Sequence, residues 1–596
     1  MNIKQLSLAV AVSLLTFTTA TNAVLGPIPI YLNTEYRTDT PVIGSIASTL
    51  SFNKNDIQGS GANTFGEFLT MIPSVSYEGG QGNLTSVRIR GNEAAHTLLL
   101  IDGAKVTITA TQPNLDIVPL DSIEKIEILK GPFSSLYGPG AIGGVIAITT
   151  NKKQSSKGGS LHLSYGTHDS MKFAINFSNS DEKSYINIAT SDYHTDGINA
   201  KSDDTTGEKD SIDRGSFSIN AGTELSKDTD IEVNLLNTRA TIKYDGNEAT
   251  FPWATISGGD MPDNNLTQFN IKTTHKFSEK NKLSVDIRRQ ETQRRQDKYK
   301  LDGLTIIDEI NFDNAILSLG FESEDDKDLK NNTHIKHQDI FAQYQTNLND
   351  NDLVIGLRQV DHKKFSKHLA YNIGWAKNFD DVRLNAAYGK ATNLPNHFQN
   401  AGNVALGKSE LKPEHSKNLE FGIEYKNITA KAFKSKNKDA FKYVYVDGFG
   451  GSLGEYYYNN AENGIENEGI EISFKNKLLN WDVNTSLDHL NSIDSVTKLE
   501  QGRRPKKSLN IVASNKHGKF NNRVSIIVKS STWDKDNESG GRIDGYELLN
   551  LGTSYKYNKE TSISLNVNNA LNKNYEVAKG YNMLGRTITL GVTYDF

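Results

Sequence analysis

Most of the chain, from about residue 153 to the C-terminus, alternates apolar with polar residues at a period of two. Polar connections rich in Asn, Asp, Lys and Gly separate the alternating segments. This pattern predicts many β-strands, each with one apolar and one polar face. Clear examples are residues 160–165, 172–177, 185–189, 230–235, 268–272, 283–287, 419–425, 470–474 and 562–567.

The length of this alternating region favours a membrane barrel over a soluble β-sandwich. A sandwich also alternates, but it rarely does so for about 440 residues, whereas a transmembrane barrel needs one face for lipid and one for its lumen. The last nine residues place Leu590, Val592, Tyr594 and Phe596 on one face. A free edge strand invites aggregation, so we expect this strand to pair with the first and close a barrel over residues 153–596.

Residues 45–152 have a different, mixed pattern. Phe65, Phe68 and Leu69 have helical spacing, and Pro73 follows at a point where a helix would end. Residues 87–90, 97–101 and 123–129 read as short strands separated by Gly, Asn and Pro turns. The pattern predicts a small α+β domain.

The N-terminus carries an export signal. Lys4 precedes an apolar run over residues 6–18, and Thr21 and Ala23 are the small residues that a signal peptidase reads. The alternative, a membrane anchor, needs a longer apolar run. We therefore predict a signal peptide at residues 1–23, which leaves a mature protein that is periplasmic, secreted or in the outer membrane.

Composition excludes several functions. The net charge of −5 gives no argument for nucleic acid binding. With no cysteine, the chain has neither disulfides nor a thiolate metal site. We find no Gly-x-Ser-x-Gly, His-Glu-x-x-His, phosphate-binding or EF-hand motif, so we expect neither an enzyme nor a required cofactor.

Several motifs carry a family resemblance when they are taken in order. They occupy residues 68–75, 86–91, 99–103, 123–132 and 135–146, and, near the C-terminus, residues 411–414, 567–575 and 585–586. With these motifs the chain resembles TonB-dependent outer-membrane receptors, and among them the vitamin B12 (cobalamin) receptors most closely. One departure is Lys130, which stands where the family has Arg and keeps the charge without the bidentate fork.

The resemblance implies a monomeric outer-membrane transporter in contact with lipid. Its antiparallel barrel of about 22 strands holds residues 45–152 as a plug, and it takes up a scarce large ligand such as a corrinoid. Ligand would bind at the outer end of the plug, in the polar, weakly charged loops 79–86 and 107–114, which suit an amide-rich ligand; the alternative is that they are ordinary turns. The candidate ligand-binding residues are Gln81, Asn83, Leu84, Thr85, Thr111, Gln112 and Asn114.

Energy would come from the inner-membrane TonB protein, because an outer membrane has neither ATP nor a sustained ion gradient. In the family, an extended N-terminal peptide pairs with TonB as a strand. The candidate here departs from the family's acidic, Val-rich pattern, and its proline lacks an N–H. It lies in residues 24–44, for which the resemblance implies a periplasmic segment, and it consists of Ile28, Pro29, Ile30, Tyr31 and Leu32.

Charged residues among apolar neighbours in the plug have two interpretations. One is solvated surface charge. The other, which we favour, is a buried network that pairs the plug with the polar barrel wall and has to be well paired. The residues are Arg88, Arg90, Glu124, Glu127 and Lys130.

A calcium site in the outer loops is a further expectation from the resemblance. Asp210, Asp213 and Asp245 fall where cobalamin receptors hold calcium, with Asn199 in place of another acid. Three carboxylates and an amide oxygen are suitable ligands for Ca²⁺. The alternative is that these acidic loops simply face water.

Three other functions compete with corrinoid uptake. The same transporter architecture could carry haem or a ferric siderophore, with His397 as a haem-ligand candidate near Pro395. A passive porin would lack a plug, which the first 150 residues oppose. An outer-membrane enzyme would need a nucleophile and base that the sequence does not show.

Overall fold

The computed structural model describes residues 36–37, 43, 45–80, 83–106, 108–109, 112–113, 115, 117–150, 157–205, 207–244, 259–294, 297–405, 410–446 and 455–596. The predicted signal peptide and the TonB-interacting residues lie outside this part of the chain.

The N-terminal domain is the α+β unit that the sequence predicts. Its elements are β1 (Ser48–Asn53), α1 (Lys54–Gly59), α2 (Phe65–Thr70), β2 (Val75–Gly80), β3 (Asn83–Ile89), β4 (Thr97–Ile101), β5 (Ala104–Lys105), β6 (Ile108–Thr109), β7 (Gln112–Pro113), β8 (Ile123–Lys130), α3 (Ser134–Tyr137) and β9 (Gly144–Thr150), with 3-10 turns at Ala94–His96 and Leu120–Ser122. Five of these strands form its central sheet in the order β1-β8-β9-β4-β5.

Helix α2 shows why these residues fold as they do. The Thr64 hydroxyl caps its first turn by accepting a hydrogen bond from the Glu67 N–H at 3.1 Å. Phe65, Phe68 and Leu69, the residues with helical spacing, are all buried in the core of the domain. In the described part of the chain, no helix is long and apolar enough to span a membrane.

The C-terminal part is a closed antiparallel barrel of 22 strands, which confirms the predicted fold class. The first strand pairs with the last, with Leu161 opposite Tyr594 and Leu163 opposite Val592. The barrel strands are β10 (Gly158–Gly166), β11 (Ser170–Ser180), β12 (Ser184–Thr195), β13 (Ile212–Ser226), β14 (Thr229–Tyr244), β15 (Gly259–Ser278), β16 (Asn281–Arg294), β17 (Asp297–Asn311), β18 (Ala315–Asp328), β19 (Thr333–Leu348), β20 (Asn351–His362), β21 (Ser366–Phe379), β22 (Val382–Asn393), β23 (Glu414–Tyr425), β24 (Ile428–Val446), β25 (Glu455–Leu478), β26 (Trp481–Asp494), β27 (Lys507–His517), β28 (Phe520–Lys529), β31 (Tyr546–Lys556), β32 (Thr561–Asn568) and β35 (Thr587–Asp595).

The connections add a helix and two small hairpins. Helix α4 (His397–Ala405) lies between β22 and β23. Strands β29 (Thr532–Lys535) and β30 (Ser539–Ile543) pair within the 530–545 loop, and β33 (Glu576–Ala578) and β34 (Tyr581–Asn582) pair within the 569–586 loop.

The alternating pattern turns apolar residues outward and polar residues inward. On β20, Ile355 and Leu357 are 42% and 48% exposed, whereas Arg358 is 0% exposed and points to the lumen. A barrel in lipid reverses the usual arrangement of a soluble protein in this way. The polar side chains of the lumen face the plug, as where the Gln268 side-chain amide donates to the Ile101 carbonyl at 2.8 Å.

The two ends of the barrel differ in the length of their connections. One end has short turns at residues 181–183, 227–228, 279–280, 312–314, 349–350, 380–381, 426–427, 479–480, 518–519 and 557–560. The other end carries long connections at residues 196–211, 394–413, 495–506, 530–545 and 569–586, together with shorter ones at residues 167–169, 329–332 and 363–365. Outer-membrane barrels have short periplasmic turns and long extracellular loops, so the long-loop end faces outward.

The C-terminal residue takes part in the barrel closure. The Phe596 N–H donates to the Gly159 carbonyl at 2.9 Å, and the Gly159 N–H donates to the Phe596 carbonyl at 2.7 Å. A Cβ on Gly159 would lie 2.5 Å from the Phe596 ring, so the ring packs directly on the first strand.

We expect deletion of Phe596 to lower the amount of folded barrel in the outer membrane, because both closing hydrogen bonds and the ring contact are lost. The measurement is the heat-modifiable band of outer-membrane fractions on gels. Phe596→Tyr keeps the backbone bonds and the ring, and should assemble normally. Equal amounts of folded barrel for the deletion and the wild type would contradict this role.

Candidate plug and ligand site

The β2–β3 hairpin of the plug reaches the outward end of the barrel. Glu78 on β2 pairs with Arg88 on β3 at 2.6 Å. It also accepts a hydrogen bond from Arg503 of the 495–506 loop at 3.4 Å, and Arg503 in turn pairs with Asp534 of the 530–545 loop at 2.9 Å. An ion-pair chain therefore links the hairpin to two extracellular loops.

A second arginine repeats this link one residue further on. Arg504 pairs with Glu93 of the plug at 2.6 Å and with Asp536 at 3.2 Å. Its Nε also donates to the Gly91 carbonyl at 2.7 Å. Arg503 and Arg504, the two loop arginines that face the outer end of the plug, are therefore already paired with carboxylates.

The two plug carboxyls of this cluster, Glu78 and Glu93, have lowered pKa values. Burial would raise the pKa of Glu78, but Arg88 and Arg503 outweigh the burial and hold this pKa at about 2. Burial likewise opposes ionisation of Glu93, whereas Arg504 and Arg88 lower the pKa of that carboxyl. The arginines thus favour the charged forms of Glu78 and Glu93.

The predicted ligand-binding residues have only partly described positions. Thr85 is buried on β3, and the backbones of Asn83 and Leu84 lie on the same strand. Gln112 lies on β7, opposite Thr109 of β6. Gln81, Thr111 and Asn114 lie outside the described residues. A ligand role for this set stays a prediction.

A small cavity lies between helix α2 and the barrel wall at the outward end. Its volume is about 90 Å³, and its lining includes Met71, Tyr77, Tyr575 and Met583. Ligand pockets are usually about 300–1,000 Å³. The cavity is thus too small for a large ligand unless part of its wall moves.

The 569–586 loop forms part of this wall and is tied to two other loops. The Ser202 N–H donates to the Gly580 carbonyl at 2.8 Å, and the Asn582 N–H donates to the Ala200 carbonyl at 2.6 Å. The Lys579 N–H donates to Asp534 at 2.9 Å. These few bonds hold the loop in place at the edge of the cavity.

One carboxylate lines this otherwise neutral cavity. Glu67 accepts a hydrogen bond from the Asn63 N–H at 2.9 Å. Burial raises the pKa of Glu67. The remaining polar lining consists of Thr, Asn and Tyr side chains and suits a neutral hydrogen-bonding ligand.

Two of the predicted network residues connect the plug to the barrel wall. Arg90 pairs with Glu471 on β25 at 2.7 Å and with Glu420 on β23, and its guanidinium lies 4.3 Å from the Phe433 ring centre. Lys130 pairs with the same Glu471 at 3.3 Å. All four charged groups are buried.

For two of the other three predicted residues, the structure shows ion pairs within the plug. Arg88 pairs with Glu78 and Glu93, both in the plug. Glu127 pairs with Lys125 at 2.9 Å. One carboxylate oxygen of Glu124 is buried without a hydrogen-bond partner among the described residues.

Further plug–barrel ion pairs were missed by the sequence reasoning. Lys105 pairs with Glu322 at 3.1 Å and with Glu324, and His96 contacts Glu414 at 2.8 Å. A signal was present, because acidic residues sit at the polar positions of alternating segments. Glu420 and Glu471 lie in segments 419–425 and 470–474, where alternation alone turns them inward.

The calcium candidates do not converge in the described part of the chain. Asp210 is buried and accepts a hydrogen bond from the Ala200 N–H at 2.9 Å, whereas Asp213 is exposed and pairs with His194 at 2.8 Å. Asp245 lies outside the described residues. No group of three or more His, Cys, Asp or Glu suited to a metal ion occurs among the residues described. Calcium binding stays a prediction.

His397, the haem-ligand candidate, already uses both ring nitrogens. Its Nδ1 hydrogen-bonds the Thr333 hydroxyl at 2.9 Å, and its Nε2 donates to the Asp326 carbonyl at 3.1 Å. In this conformation neither nitrogen is available to an iron ion.

The comparisons with known proteins define the class. A family model described as "TonB dependent receptor-like, beta-barrel" matches residues 154–570, and one described as "TonB-dependent Receptor Plug Domain" matches residues 41–145. The chain therefore belongs to the TonB-dependent receptors, a family of outer-membrane transporters and receptors.

Relatives and solved structures agree on this architecture. The chain is 24% identical to the vitamin B12 transporter BtuB of Vibrio vulnificus, over 92% of this chain and 93% of the relative. It is 23% identical to BtuB of Photobacterium profundum, over 94% and 95%. The siderophore receptor PirA of Acinetobacter baumannii superposes with a TM-score of 0.77 at 17% identity, over 92% and 98% of the two chains. The copper transporter OprC gives 0.76 at 14% identity, over 92% and 100%.

We expect Arg90→Ala to loosen the plug, because Glu420 and Glu471 would keep buried charges without their main partner. Breaking a buried pair in this way costs on the order of 3–5 kcal/mol. The measurements are ion conductance of the purified protein in planar bilayers and trypsin cleavage within the plug; both should rise. Arg289→Ala is the matched control, since Arg289 is an exposed partner of Asp302. Equal conductance and cleavage for Arg90→Ala and wild type would contradict the role of Arg90 in holding the plug to the barrel wall.

The Glu78 cluster should make stability depend on pH. The pKa of Glu78 is lower in the folded state than in the unfolded state. The stabilisation is therefore present above the unfolded pKa near 4.5 and is lost as the pH falls towards 2. Its full size is on the order of 3 kcal/mol. Thermal unfolding should show a gap in melting temperature between wild type and Glu78→Gln. This gap should be largest above pH 5 and should close towards pH 2. Glu182→Gln, in an exposed turn, should show no gap. A gap that persists unchanged at pH 2 would rule out this account.

Proposed function

We propose that this receptor imports a corrinoid, such as vitamin B12, across the outer membrane with energy from TonB. The observation that carries the proposal is the match to vitamin B12 transporters over more than nine-tenths of both chains. The siderophore and copper proteins match in fold at lower identity.

The charge at the outer end of the plug supports a neutral ligand. Ferric siderophores of the catecholate class are strongly anionic and call for unpaired Arg or Lys side chains. Here Arg503 and Arg504 are committed to carboxylates of the plug and loops. A corrinoid, whose rim carries neutral amides, fits the Asn, Thr and Tyr lining of the adjacent cavity. The hydrogen bonds of His397 disfavour haem.

Movement has to accompany binding. The cavity of about 90 Å³ admits a large ligand only when the 569–586 loop shifts away from the 196–211 loop. A ligand that makes more contacts with the open position of the 569–586 loop than with its closed position would shift the equilibrium towards the open position.

Import also requires work on the plug. Arg90, Lys130 and Lys105 tie the plug to the barrel wall through buried ion pairs. A ligand that binds with equal affinity in two positions of the plug would not change the populations of those positions. Strand pairing of residues 28–32 with TonB would supply the pull, since β-augmentation holds through backbone hydrogen bonds.

The test is an equilibrium titration of the purified receptor with cyanocobalamin, haem and a ferric catecholate siderophore. We expect saturable binding of cyanocobalamin and none of the other two at matched concentrations. Parallel titrations with calcium and with chelator would test the carboxylates of the 196–211 loop. Tight binding of the siderophore without cyanocobalamin binding would overturn the corrinoid assignment and leave the transporter class intact.

Energy coupling is tested separately in cells. Tyr31→Pro should abolish cyanocobalamin uptake but leave surface binding intact, because a second missing N–H breaks strand addition. Tyr31→Phe is the matched control and should transport normally. Normal uptake by Tyr31→Pro would show that residues 28–32 are not the TonB-interacting segment.

A further inference from the structure

Three lysines stand side by side on the outer surface of the barrel. Lys390 on β22 is the register partner of Lys417 on β23, and Lys417 is the register partner of Lys436 on β24. Directly opposed residues of an antiparallel pair have Cβ atoms about 5 Å apart, and like charges there are destabilising. The row therefore concentrates positive charge, and the repulsion between its members destabilises this part of the sheet.

Nearby carboxylates neutralise only part of this row. Lys436 pairs with Glu466 at 2.8 Å, but Glu466 is shared with Lys498 at 3.5 Å. In the described part of the chain, no carboxylate lies within ion-pair distance of Lys390 or Lys417. The row keeps a net positive charge on a surface that faces away from the lumen.

The row sits at the upper edge of the lipid-facing apolar surface. On the same outward face, the next positions towards the short-turn end are Tyr388 below Lys390 and Leu419 below Lys417, and Phe421 follows Leu419. Leu419 and Phe421 are 41% and 56% exposed. Tyr371, the register partner of Lys390, packs near Tyr388 with ring centres 6.0 Å apart. Such aromatic residues mark the level of lipid headgroups, here in the outer leaflet.

The outward surface of β16 to β18 shows a different arrangement, although Arg289 also follows directly above an exposed apolar residue, Ile287. Arg289 pairs with Asp302 at 2.7 Å, and Lys327 pairs with Asp302 and Asp325 at 3.0 and 3.3 Å. These two cations are matched by carboxylates of the protein. The β22–β24 row is not matched in this way, which indicates an anion from outside.

We infer that Lys390, Lys417 and Lys436 form a docking site for the phosphate groups of an outer-leaflet phosphoglycolipid. A phosphate monoester carries a charge of about −1.5 to −2 and three acceptor oxygens, which suit ammonium groups spaced at strand distance. Basic clusters beside an apolar membrane surface recognise anionic headgroups in this way. The acyl chains would lie on Leu419 and Phe421. This continuity with apolar surface selects a lipid rather than free phosphate.

The test uses the purified, detergent-solubilised full-length receptor with bisphosphorylated lipid A as probe. We expect Lys390→Gln/Lys417→Gln to weaken lipid A binding at least tenfold, measured by native mass spectrometry and by titration. Lys298→Gln/Lys336→Gln removes the same charge from exposed positions on β17 and β19 and should bind as wild type. Dephosphorylated lipid A should bind the wild type as weakly as it binds the Lys390→Gln/Lys417→Gln variant.

Two outcomes would overturn the inference. One is equal lipid A affinity for wild type and the Lys390→Gln/Lys417→Gln variant, with both heat-modifiable and therefore folded. The other is displacement of lipid A by inorganic phosphate at comparable concentration, because the acyl chains would then contribute nothing. Failure of corrinoid binding has no bearing on this site, which lies on the opposite face of the barrel wall.

Discussion

The structure depends on one requirement: in lipid, backbone N–H and C=O groups have to be hydrogen-bonded within the protein. A sheet meets this requirement only when it has no edge, so the first strand must pair with the last. Here β10 and β35 close the ring, and the Phe596 backbone exchanges hydrogen bonds with Gly159. Closure leaves a wide lumen, because 22 strands enclose more space than side chains alone can fill. That lumen has to hold a separate domain.

A polar lumen decides how the plug is held. The inward positions of the strands carry charged and amide side chains, so the plug cannot dock through an apolar face alone. It docks instead through buried ion pairs such as Arg90 with Glu471 and Lys105 with Glu322. Such pairs contribute little net stability, because desolvation offsets much of their attraction, but breaking one partner is costly. They suit a domain that has to stay in register and still be displaced by an external pull.

The two faces of the barrel wall use charge differently. On the lumen side, cations from the plug meet carboxylates of the wall, and at the outer end Arg503 and Arg504 join the loops to the plug. On the outward side, Lys390 and Lys417 stand together without carboxylate partners among the described residues. Charge inside thus organises the protein itself, whereas this outward charge is directed to the surroundings.

The sequence by itself determined the class of fold. Alternation over residues 153–596 is a local property of each strand, so it predicts strands, their two faces and the need for closure without knowledge of neighbours. The helical spacing of Phe65, Phe68 and Leu69 likewise determined α2, whose ends follow from Thr64 and the turn before Pro73. The motifs of the plug then placed the chain in its family.

Only the tertiary structure decided which charged residues meet. Glu420 and Glu471 could be assigned to the lumen from alternation, but their common partner Arg90 is 330 and 381 residues away in the chain. Arg88 and Glu127 looked equivalent to Arg90 in sequence, yet they pair within the plug. The lysine row depends on strand register, and a slip of one residue would turn its members to the other face. Register and docking arise from the packing of the whole barrel around the plug, and no local pattern encodes them.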